Sequence, residues 1–127
     1  MPQIRRPPSN DRPTALDTSD GLWRIARRVA YLDFDLQAQR LALIAFCFGP
    51  TERGSLFVPF VDTTSGNETY GSGRYLDLDV ESDGSLVIDF NLAYHPYCAY
   101  SSAYSCPLPP AENRLPVPIR AGERLRS

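Results

Sequence analysis

The sequence predicts a small, mostly β domain: an antiparallel, barrel-like or sandwich sheet of five or six strands closed by a long irregular strap rich in proline and tyrosine. Three observations carry this expectation. Residues 74–81 alternate strictly, with Leu76, Leu78 and Val80 on one side and Tyr75, Asp77, Asp79 and Glu81 on the other, the period of a strand with one buried face. Ser82-Asp83-Gly84 follows as a turn in which glycine accepts positive φ, and residues 85–91 return with Leu86, Ile88 and Phe90 on one side, which predicts a hairpin. Beyond Asn91 the periodicity ends: residues 92–118 hold six prolines, four tyrosines and the single histidine. Tyrosine buries a large area and packs, so this stretch is expected to lie ordered across the sheet.

Taken from the start, residues 1–18 are expected to form a flexible Arg/Pro-rich arm, because four prolines fall within the first 13 positions. Residues 19–127 then make one β domain. Residues 22–34 are ambiguous by period: Leu22, Ile25, Ala26 and Val29 suit a helical stripe, while Trp23, Ile25, Val29 and Tyr31 suit one strand face with Arg27 as the exception. Residues 40–48 form a short apolar run that suits either element. Both segments are assigned to antiparallel strands because everything downstream is β. Residues 55–61 are strand-like, with Pro59 marking an edge or a bulge.

Composition narrows the chemistry. The chain has 127 residues, 43% hydrophobic and 22% charged, as expected of one globular domain. All 13 basic residues are arginine, which excludes Schiff bases, phosphate-loop lysines and Ser–Lys pairs. Net charge is −2, with the acidic residues concentrated between positions 29 and 110. That distribution argues against nucleic acid as the main partner, since phosphate binding needs a contiguous basic surface. No apolar run reaches the roughly 20 residues that span a bilayer, so no membrane partner is expected. The first residues carry charge without a following apolar core, so a cytoplasmic location is expected.

The segments FVPFVDTTSGNETYGSGRYLDLD (57–79) and DFNLAYHPYCAYSSAYSCPLPPAENRLPVPIRAGERL (89–125) resemble a bacterial and archaeal family called domain of unknown function 1684. The resemblance covers the C-terminal three-fifths; residues 1–50 match poorly. It implies that relatives carry a longer N-terminal portion and that asparagine stands where this chain has His95. A free edge strand left by the shorter N-terminus would favour a homodimer. The resemblance implies no activity.

Candidate site residues come from the polar clusters. Residues 62–74 (DTTSGNETYGSGR) read either as an anion-binding turn with Arg74 as a carboxylate or phosphate clamp, or as a connection in which Asp62, Thr64 and Ser65 bond local backbone, the reading favoured for those three. Asp89 and Asn91 share a strand face, and read either as polar groups that the strap covers and that then need partners, or as solvent-facing. Glu112, Asn113 and Arg114 sit on a proline-stiffened segment. The function expected is binding of a small carboxylate- or phosphate-bearing molecule between sheet and strap, with Tyr70, Tyr94, Tyr97 and Tyr100 as walls and Arg74, Arg114, Asp89, Asn91, Glu112 and Asn113 orienting it. One alternative is a hydrolase or isomerase using Glu68 or Asp89 with a tyrosine; another is a structural or interaction module whose strap residues form an internal polar network. No cofactor is favoured. Zinc held by His95, Cys98 and Cys106 is the runner-up, and a Cys98–Cys106 disulfide is its rival in an oxidising compartment.

Overall fold

The computed structural model of the chain describes residues 3–5, 13–48, 55–101 and 103–125. It is mostly β: a curled antiparallel half-barrel of six strands, β1 (Gln3–Arg5), β2 (Pro13–Asp17), β3 (Trp23–Leu36), β4 (Gln39–Cys47), β5 (Ser55–Phe60) and β6 (Arg74–Asp79). The order is β1-β3-β4-β5-β6, and β2 also pairs with β3. Because β3 meets β4 on one edge, its other edge takes β1 opposite Tyr31–Asp33 and β2 opposite Trp23–Arg27 in series. The stretch expected as a free arm therefore contains two paired strands; residues 1–2 and 6–12 of that stretch lie outside the described residues. Among the described residues no helix is long and apolar enough to cross a membrane.

The two segments of ambiguous period are strands, and their ambiguity has a structural cause. Register shifts between Arg28 and Ala30, so Val29 is a bulge residue that exchanges the faces of β3. Before it, Ala26 joins a small apolar cluster with Leu16, Ile44 and Phe46 on the outer face. After it, Ala30, Leu32 and Phe34 enter the main core on the inner face, while Tyr31 returns to the outer one. The single face expected for Trp23, Ile25, Val29 and Tyr31 is thus split, and Trp23 and Ile25 are exposed. The β3–β4 turn uses Gln37 and Ala38, both at positive φ (51° and 61°), without the glycine or asparagine that announces such turns.

The expected hairpin is only half formed. The turn closes through Glu81 N–H to Ser85 C=O at 2.7 Å, but residues 85–89 are not a strand. Burial still alternates there, Leu86 entering the core and Val87 standing 72% exposed. The edge of β6 is instead occupied by the strap, Tyr75 and Tyr94 exchanging backbone bonds of 2.8 and 3.0 Å. Residues 85–93 cross the mouth of the half-barrel, where Leu86 and Ala93 cap the core and the Phe90 ring meets those of Phe34 and Phe60 at 5.8 and 5.5 Å. The strap then rounds the β6 edge, reaches β2 through Thr18↔Pro107, and comes back to bury Leu115, Val117 and Ile119.

Pro59 explains how the strap locks to the sheet. The β4–β5 ladder is short, with one registered pair, Phe46↔Phe57. Beyond it Pro59 offers no N–H towards β4, and the side-chain amide of Asn113 fills the gap. Its Oδ1 accepts from Ile44 N–H at 2.7 Å, and its Nδ2 donates to Ile44 C=O at 2.9 Å and Pro59 C=O at 2.8 Å. Asn113 is 0% exposed.

Candidate functional site

The glycine-rich segment before β6 ends in Arg74, whose side chain is 1% exposed. Its Nη1 donates to the carbonyls of Ala121 (2.6 Å) and Glu123 (3.0 Å), and its Nη2 to Ile119 C=O (2.6 Å) and Asp62 Oδ2 (3.2 Å). Burial pulls the guanidinium pKa down and Asp62 pushes it back. Asp62 in turn accepts from Ile119 N–H (2.8 Å), Thr64 N–H (3.0 Å) and Thr64 Oγ1 (2.6 Å). Asp62, Thr64 and Ser65 bond locally, as expected of a turn. Arg74 faces the chain's own C-terminal segment, so the clamp expected for a ligand is filled by backbone carbonyls. Gly73 serves the same knot: at φ +104° it lies so close to Phe60 C=O that a Cβ would sit 2.4 Å from that oxygen.

A second polar group surrounds His95, 3% exposed. Its Nε2 accepts the Tyr70 N–H at 3.3 Å, and its backbone N–H donates to Glu123 Oε1 at 2.6 Å. Tyr100 donates its hydroxyl to the other Glu123 oxygen and lies 3.3 Å from His95 Nδ1. Burial lowers the His95 pKa, and Arg74 lowers it further against the pull of Glu123. Burial opposes ionisation of Glu123, yet the His95 N–H and Tyr100 hydroxyl bring its carboxyl below the ordinary value. Glu68 is held by Arg124 at 2.7 Å and Arg120 at 3.3 Å. Asp89 caps the short turn Phe90–Leu92 by accepting from Asn91 N–H at 3.0 Å, and the Asn91 side chain is exposed. Glu112 pairs with Arg28 at 3.3 Å. The expected ligand set therefore does not converge on one place.

Part of it does. On the outer face, rings of Phe48, Phe57, Tyr75 and Tyr94 follow one another at 5.2, 4.6 and 5.7 Å. With Pro96, Tyr97, Ser105, Cys106 and Pro107 of the strap they wall a cleft of about 260 Å³. Arg24 stands at its margin, the guanidinium 4.2 Å above the Phe48 ring, and no acidic side chain among the described residues pairs with it. Tyr75 donates to Pro107 C=O at 2.6 Å, and Tyr94 to Asp77 Oδ2 at 2.6 Å. Burial pushes both phenols well above the usual range, so they stay protonated and their oxygens offer lone pairs. Ser105 is oriented by Asp20 at 2.9 Å. Of the expected walls, Tyr94 and Tyr97 are here; Tyr70 and Tyr100 belong to the His95 group. Arg114 lines a separate depression with Ser72, Leu108 and Pro109.

Arg24, Phe48, Phe57 and Tyr75 are the members that sequence reasoning missed. Their signal was parity: Tyr75 lies on the polar side of an alternating strand, and only a covered outer face gives a large aromatic there a partner. The Cys98 backbone N–H donates to Cys106 Sγ at 3.3 Å, and all three cysteines are free thiols. His95 and these thiols do not assemble as zinc would need: among the described residues no group of three or more His, Cys, Asp or Glu side chains is placed to hold a metal ion.

Comparison with known proteins puts this geometry in context. A family profile described as "Protein of unknown function (DUF1684)" matches residues 3–124. The match corrects the expectation that only the C-terminal three-fifths is shared. The N-terminal half offers short apolar runs of ambiguous period, which resemble many strands, whereas the strap is dense in proline, tyrosine and cysteine. The solution NMR structure of an uncharacterised protein from Haloarcula marismortui is similar, with a TM-score of 0.78 and 41% identity over 98% of this chain and 69% of that one. No curated protein matches.

Proposed function

This chain belongs to the DUF1684 family, and we propose that its outer-face cleft binds a small molecule with a flat apolar body and a carboxylate or phosphate group. One observation carries the reading: a run of aromatic rings opens into about 260 Å³ of space beneath an arginine that no acidic group among the described residues pairs. A flat body would stack among Phe48, Phe57, Tyr94 and Tyr97, and an anionic end would turn towards Arg24, whose fork suits two oxygens at once. Tyr94, whose hydroxyl proton is committed to Asp77, and Ser105, oriented by Asp20, would accept from a donor on the ligand. The enzymatic alternative has less support, because Glu68 is held by two arginines and Asp89 caps a turn.

The test is an NMR titration with phenyl phosphate and benzoate against benzylamine. Saturable shifts at Arg24, Phe57 and Tyr97 with both anions, absent with benzylamine and lost in Arg24→Gln, are expected. Equal shifts with the amine, or shifts that never saturate, would sink the reading.

A further inference from the structure

We propose that Cys98 and Cys106 are a reversible dithiol pair, which a low-molecular-weight disulfide such as oxidised glutathione converts into an intrachain disulfide closing the strap into a ring. The fold has already brought the two residues together. The short turn Tyr97–Ala99 folds the chain back, and the Cys98 N–H reaches Cys106 Sγ at 3.3 Å. The Tyr97 and Tyr104 rings, packed at 5.1 Å, hold the two limbs of the loop against one another. Cys106 is fixed from outside the loop: its N–H donates to Ser19 Oγ at 3.1 Å and its carbonyl accepts from Ser19 N–H at 2.9 Å.

The two sulfurs differ in access, which assigns their order. Cys98 is partly exposed and Cys106 is buried. The Cys98 thiolate attacks one sulfur of glutathione disulfide, forming a mixed disulfide and releasing one glutathione thiolate. Cys106, after giving its proton to water, attacks Cys98 Sγ; the protein disulfide forms and the second glutathione thiolate leaves. The protein loses two electrons and two protons, and one glutathione disulfide becomes two glutathiones. Burial pushes the Cys106 thiol up, in keeping with the part of the second, resolving sulfur. Cys47, on β4, is the internal control. Cys106 also lines the cleft, as does Tyr97 next to Cys98, so the ring would stiffen one cleft wall.

The whole chain, poised in glutathione buffers of stepped ratio, quenched in acid and treated with iodoacetamide, reports the outcome by intact and peptide mass. The expected product is lighter by two hydrogens, takes one alkyl group at Cys47 alone, joins the Cys98 and Cys106 peptides, and returns to three alkylated thiols on reduction. Cys106→Ser should stop at the mixed disulfide on Cys98, and Cys98→Ser should leave Cys106 unmodified. Three alkylated cysteines at every ratio, a lasting mixed disulfide in the natural chain, or a bond that uses Cys47 or a second molecule would each overturn the proposal. None of these readouts depends on the ligand proposed for the cleft.

Discussion

Around Arg74, bonds to three backbone carbonyls and an ion pair with Asp62 use up a guanidinium that is 1% exposed, whereas around Arg24 the same group lies on the Phe48 ring at 4.2 Å at the margin of an open cleft. The first region is closed by the chain itself: carbonyls of residues 119, 121 and 123 occupy the positions a bound carboxylate would take. The second has a fork, a row of rings and space. An arginine in a glycine-rich turn is not thereby a ligand clamp; what decides is whether the backbone reaches it first.

The contrast can be broken by substitution. Arg74→Met leaves Asp62 buried without its cation and should cost about 3–5 kcal/mol, read as a collapse of the urea midpoint. Asn113→Ala should come next: it strands the N–H of Ile44 and the carbonyls of Ile44 and Pro59, for about 2–3 kcal/mol in the same measurement. A smaller effect should follow pH. Because the folded-state pKa of His95 is lowered, the unfolded chain takes up that proton first, so the stability held above the ordinary value of 6.5 is lost as pH falls through it towards the folded value. His95→Asn should flatten thermal melting curves across that window. The depressed Glu123 carboxyl adds a separate loss that begins only near 4.5 and deepens below it, so the two can be told apart. Arg24→Gln should change stability least, by about 0.5 kcal/mol or less, while abolishing phenyl phosphate binding. If it destabilised the fold as Arg74→Met does, the two regions would not differ in kind.

What could be read from the residues follows the same line. Strand β6 was legible because Leu76 and Leu78 alternate with Asp77 and Asp79 and the core takes one face. The local bonding of Asp62, Thr64 and Ser65 was legible because short polar side chains bond their own turn. Residues 85–91 misled, because alternating burial requires a surface to lie on but not a ladder partner, and Tyr94 took the β6 edge instead. The N-terminal strands were hidden by their prolines, although Pro13 begins β2, a position where its missing N–H costs little. The cleft was hidden because its members come from β3, β5, β6 and both limbs of the strap, and the face-exchanging bulge at Val29 shows in a period count only as ambiguity, without its position. Arg24 in particular stands in a run of arginines where nothing local separates it from Arg27 and Arg28.

Asn113 sets a condition on the order of assembly. The seam it closes joins Ile44 and Pro59, partners separated from it by 69 and 54 positions, and the Arg74 knot likewise waits for residues 119–123. A nascent chain that has emerged as far as β6 therefore holds strands whose shared seam has no filler and an ion pair without its carbonyl collar. Contacts of such long range make folding slow, because the entropy of closing the intervening loops is lost before any contact rewards it. During translation the half-barrel would stay open along β4 and β5, an interval in which an edge-binding chaperone has a template to hold.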